Sequence, residues 1–197
     1  MAAQGVSKSV PKIIGTFLVY RPVVIAPPFE ILRFTSNIGS QFLYKVKIEK
    51  NFSKQGLING ANKAIISSAY CIKNEKWDDY SNIACKDLIL NLKNEINEKS
   101  EKEREMLEKL LETASFEKNI KKTIVISSLF KSHDILNSEE NSKVDFHTSF
   151  LSYINNPENP KNEYYCNITI SRRVSPLGKW KIGKVNFFDN QFALNFI

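Results

Sequence analysis

The chain has 197 residues, 42% of them apolar and 25% charged, with only seven glycines and seven prolines. That length suits one domain with a sizeable core, and the scarcity of glycine and proline excludes a fibrous or wholly disordered chain. The net charge of +7 is uneven: residues 1–50 hold seven basic and two acidic side chains, residues 51–159 fifteen and seventeen, and residues 160–197 six and two. Basic ends suit an anionic partner, whether nucleic acid, lipid surface or acidic protein.

In chain order, residues 1–26 read as an N-terminal tail. Its segment from Ile13 to Ala26 is extended and closes at Pro27-Pro28. The run from Ile13 to Phe29 is broken by Arg21, Pro22, Pro27 and Pro28, and falls short of the ~20 apolar residues that span a bilayer. Three cations and no acid in the first 29 residues are compatible with a transit peptide. From Phe29 the pattern is helical: Ile31, Phe34, Ile38 and Phe42 share one face, which the spacing predicts to pack on the rest of the domain. The same stripe, with Arg33, Lys45 and Lys47 beside it, also suits an interfacial helix on anionic lipid.

A second helix starts at Ser53, with Phe52 and Leu57 spaced as a hydrophobic staple. Its face of Leu57, Ala61, Ala64, Ile65, Ser68 and Ile72 is rich in small residues, as is neighbouring Gly60, and admits close approach of another backbone. Trp77 to Ile83 reads as a short helical piece and Asp87 to Ile96 as a third helix. Ser100 and Glu103 form a capping box for a fourth, with Met106, Leu107, Leu110, Leu111 and Ala114 inward. After Lys121 the chain turns to β-branched and aromatic runs: Thr123–Phe130, Val144–Ile154, Tyr164–Val174 and Trp180–Phe188. Four such runs with short connections make an antiparallel meander. Helices first and strands after give an α+β domain over 27–197, with N-terminal helices on a curved four-stranded sheet.

Chemistry-bearing residues are sparse. Cys71, Cys85 and Cys166 offer neither a CxxC nor a disulfide framework. No phosphate-binding loop, dinucleotide fingerprint or HExxH occurs, and the ligands for a metal site are few. His133 and His147 are the two histidines. Asp145 and His147 are two apart on a predicted strand, so they face one side and form the single candidate acid/base pair for a small-molecule enzyme. Arg172, Arg173, Lys179, Lys181 and Lys184 alternate with Trp180 and Phe187, a composition suited to single-stranded nucleic acid.

Residues 27–113 resemble the Tim-forty-four-like domain family, and within it the m-AAA protease-interacting group of mitochondria. The likeness lies in Pro28-Phe29 followed by an aromatic helix, then Phe52 with Gly60-Ala61-Asn62-Lys63-Ala64, Trp77 after a short turn, and Leu88 and Leu92. Such a resemblance implies a cone-shaped, nuclear-transport-factor-like fold enclosing an apolar pocket. It further implies a non-enzymatic adaptor or chaperone, without cofactor, at the matrix face of the mitochondrial inner membrane. Expected partners are the m-AAA protease and imported inner-membrane proteins, such as the regulator of the calcium uniporter. An alternative is a mitoribosome-associated membrane receptor. The candidate partner surfaces are then Phe29, Ile31, Arg33, Phe34, Ile38, Phe42, Lys45 and Lys47 on the first helix, and Arg172, Arg173, Lys179, Lys181 and Lys184 near the C-terminus. The family's usual long presequence is not evident here.

Overall fold

The computed structural model describes residues 31–132, 144–161 and 163–189. The expected tail, Pro28-Phe29 and His133 lie outside them. The elements run α1 (Ile31–Lys47), α2 (Lys54–Lys73), α3 (Trp77–Ser81), α4 (Lys86–Glu98), α5 (Glu101–Ala114), a 3-10 turn at Glu117–Asn119, and β1 (Ile120–Ser132), β2 (Val144–Ile154), β3 (Tyr164–Arg173) and β4 (Lys181–Asp189). The strands form one open antiparallel sheet in sequence order. The expected α+β arrangement is what the chain adopts.

Local signals set the helix boundaries. Ser53 is extended, and its hydroxyl accepts the Gly56 amide at 3.0 Å. Phe52 and Leu57 are both buried, as a staple requires. At the other end the Asn74 amide donates to the carbonyls of Tyr70 and Ile72, and Glu75 then takes a left-handed φ of 52°. The Glu103 carboxylate accepts from the Ser100 amide at 2.9 Å and its hydroxyl at 2.6 Å, which starts α5. Leu107, Leu110, Leu111 and Ala114 are inward as expected, but Met106 is half-exposed. It lies at the edge of the apolar stripe, and the face one residue round fills the interface.

Strand alternation divides the sheet into two faces. Phe146, Thr148, Phe150, Ser152 and Ile154 of β2 sit opposite Arg172, Ile170, Ile168, Cys166 and Tyr164 of β3. With Ile182, Val185 and Phe187 of β4, the apolar members of this face join Leu57, Ala61, Ile65, Ile72, Leu88, Leu92, Leu107 and Leu111 of the helices in one core. A bulge at Gly183 shifts the β3–β4 register, where a residue without a side chain fits the extra backbone unit. Neither sheet edge is left open along its whole length. At β4, the Cys85 amide donates to the Ile182 carbonyl at 2.9 Å and the Ile182 amide to the Ile83 carbonyl at 2.7 Å. At β1, Asn37 of α1 bonds the strand's main chain. Pairing these groups shortens the open edge available for edge-to-edge association.

Glu75 holds a backbone conformation that glycine adopts without steric cost. Glu75→Gly is expected to raise unfolding free energy by about 0.5–1 kcal/mol. A urea midpoint that stays level or falls would contradict the conformational account.

Candidate functional site

Helix α1 packs the opposite way from the sequence expectation. Ile31, Phe34, Ile38 and Phe42 were expected to pack inward, yet they are 70%, 51%, 53% and 67% exposed. Leu32, Leu43 and Val46 are exposed with them. The inward face is instead Asn37, Gln41 and Tyr44, spaced four and three apart. The Asn37 side-chain amide donates to the Ile126 carbonyl at 2.8 Å, while its oxygen accepts the Ser128 amide at 2.6 Å. One asparagine thus pairs with β1 as a strand would. Gln41 donates to the Ser128 hydroxyl at 3.1 Å, and that hydroxyl pairs with Thr148 at 3.4 Å. Beneath Asn37 and Gln41 the sheet offers main chain and the hydroxyls of Ser128 and Thr148, so polar side chains dock there.

Tyr44 is the sole buried residue of α1. Its ring stacks on Phe146 at 4.4 Å and lies 4.8 Å from Phe52 and 6.0 Å from Trp180, joining helix, loop and sheet. Burial holds its hydroxyl above the ordinary phenol range, against the opposing pull of the Arg172 guanidinium.

Arg172 corrects a second expectation. It belongs to the candidate basic surface by sequence, yet its side chain is only 17% exposed. Its Nη1 donates to Glu49 Oε2 at 2.8 Å and to the Tyr44 hydroxyl at 3.1 Å, and its Nε to the Gly178 carbonyl at 2.7 Å. The guanidinium also lies 5.8 Å from the Trp180 ring centre. Register explains this: Arg172 opposes Phe146 and so faces the helices, whereas Arg173 opposes Asp145 and faces away. Arg173 approaches the Asp145 carboxylate at 3.8 Å. Lys181 donates to the Ser81 and Asn82 carbonyls at 3.1 and 2.7 Å, and Lys179 and Lys184 are exposed. The five cations therefore do not make one nucleic-acid surface.

Asp145 and His147 do share a face, as expected, but it is the side of β2 opposite Phe146 and the core. Neither lines the cavity described next. Cys71, Cys85 and Cys166 are free thiols whose pKa burial raises, which keeps them protonated at neutral pH. No group of three metal-ligating side chains occurs among the described residues.

A cavity of about 430 Å³ opens between α2 and the β3–β4 end of the sheet. Gly56, Gly60, Ala64 and Ser67 form its helical wall, and Phe52, Leu57, Ile83, Ile170, Trp180 and Ile182 its apolar lining. Glu49, Asn51, Ser53, Lys63 and Lys181 complete it. The small residues of α2 therefore serve two purposes. Ala61 and Ser68 allow close packing, with Ser68 accepting the buried Tyr80 hydroxyl at 3.0 Å, whereas Gly60 and Ala64 leave space. The small-residue content is visible in the sequence, and the family resemblance implies an apolar pocket, but neither places that pocket beside Gly60.

Arg172→Met is expected to lower stability by about 2 kcal/mol, since it leaves Glu49 and the Gly178 carbonyl without their charged donor. Arg172→Lys is expected to recover only part, because one ammonium cannot reproduce the three-way fork. Denaturant unfolding with Arg172→Met within about 0.5 kcal/mol of the parent would contradict this role.

The chain matches no protein-family model, no curated protein and no solved structure.

Proposed function

We propose that the chain is a non-enzymatic binding module whose partner surface is the outward face of α1. The observation that carries this reading is the inverted packing of that helix. Its polar residues are spent on the sheet, and a stripe of Ile31, Phe34, Ile38 and Phe42 is turned to solvent. Large exposed apolar patches cost solubility and mark interaction surfaces. From Ile31 to Lys47 the helix has no acidic residue, and Lys45 and Lys47 are exposed at its end. The two lysines also favour the helix C-terminus electrostatically. No helix among the described residues is long and apolar enough to cross a membrane.

The resemblance to the Tim-forty-four-like family supplies a setting for such a surface. In this proposal the module works in the mitochondrial matrix at the inner membrane. There it receives apolar segments of imported inner-membrane proteins beside the m-AAA protease, and the calcium uniporter regulator is one candidate client. The cationic end of α1 lies close enough to the stripe to favour an anionic lipid surface nearby. The mitoribosome reading needs a continuous basic surface, and the pairing of Arg172 with Glu49 on the face opposite Arg173 favours the adaptor.

The test is co-purification from mitochondria together with flotation on cardiolipin-containing liposomes, using the full chain and Ile38→Asp/Phe42→Asp. The double variant is expected to lose most of the capture while its Tm stays within about 2–4 °C, because both side chains are already in water. Failure of the parent chain to capture membrane proteases, their clients or liposomes would overturn the reading, as would undiminished capture by the variant.

A further inference from the structure

We propose that the cavity beside Gly60 is a binding site for a single-chain amphipathic carboxylate, an alkyl tail with one anionic head. This site is separate from the outward face of α1 and does not rest on the function proposed for that face. Gly60 lies in the interior of the twenty-residue α2, in its second turn. Glycine there costs about 1 kcal/mol of helix stability relative to alanine. A Cβ at Gly60 would meet no atom within 4 Å. Among the described residues neither backbone conformation nor packing calls for glycine, so its effect is to keep the cavity wall low.

The cavity suits an elongated apolar guest. Its helical wall, from Gly56 to Ser67, extends roughly 16 Å at the α-helical rise. Its volume of about 430 Å³ falls within the usual range for small-molecule sites. Opposite the glycines stand Ile170, Trp180 and Ile182. The charges around it favour an anion. Glu49 is already neutralised by Arg172 at 2.8 Å. Lys63 is exposed and makes no hydrogen bond or ion pair among the described residues, and Lys181 adds a second positive charge. A tail among the apolar side chains and a carboxylate at Lys63 would satisfy both halves of the lining.

The experiment titrates the full chain, in a Trp77→Phe background, with dodecanoate below its micelle concentration and follows Trp180 emission. A saturable one-to-one response is expected. Gly60→Leu should abolish it with the melting transition retained, and Ala64→Leu, one turn on, should block the same space if Gly60→Leu does not fold. Lys63→Glu should weaken binding about three- to tenfold, and dodecanol should bind more weakly than dodecanoate. The proposal is overturned by no saturable response, by a full response in both leucine variants, or by dodecanol equalling dodecanoate with Lys63→Glu neutral. It is likewise overturned if anionic vesicles elicit the Gly60-dependent response and dodecanoate does not, since the guest is then a bilayer acyl chain.

Discussion

Tyr44 is the point through which the first helix is tied to the rest of the molecule. Its ring stacks on Phe146 of the sheet, and its hydroxyl meets Arg172 and Glu49. Arg172 in turn reaches the Gly178 carbonyl of the β3–β4 connection. A single buried phenol therefore fixes the end of α1, the loop carrying Glu49 and one end of the sheet. Once Tyr44 points inward, helical geometry places Gln41 and Asn37 over β1, three and seven residues back. The apolar stripe at Ile31, Phe34, Ile38 and Phe42 is then rotated outward. The exposed surface follows from how the helix is anchored.

The two features with functional promise lie on either side of that anchor. Outward from it runs the apolar face of α1. Inward, Phe52 and Trp180 contact Tyr44 and also line the cavity beneath α2. Glu49 belongs to both, as a partner of Arg172 and as part of the cavity lining. A change at Arg172 would thus be felt in stability, in the seating of α1 and at the cavity mouth, through groups already in contact.

Much of the fold is legible in the sequence because it rests on short-range signals. Ser53 with Phe52 and Leu57, and Ser100 with Glu103, mark helix starts within five residues. The alternation of Val144–Ile154 and Tyr164–Arg173 announces the strands. What is not legible depends on partners far away in the chain. Periodicity shows that Ile31, Phe34, Ile38 and Phe42 share a face, but not whether that face packs. That choice is made by Asn37 bonding to Ile126, 89 residues on. Arg172 reads as a surface cation until Glu49, 123 residues earlier, is placed beside it. An apolar pocket is implied by the family resemblance, but its place is hidden for the same reason: Gly60 reads as a close-approach residue when the opposing Ile170 and Ile182 are unknown.

The central claim, that α1 docks through polar residues and leaves its apolar stripe in water, is most directly tested by hydroxyl-radical footprinting of the full chain. The rings of Phe34 and Phe42, more than half exposed, should be oxidised far faster than the fully buried ring of Tyr44, even though tyrosine is intrinsically the more reactive. Protection of Phe34 and Phe42 together with ready oxidation of Tyr44 would show the helix packed through its apolar face and would contradict the account.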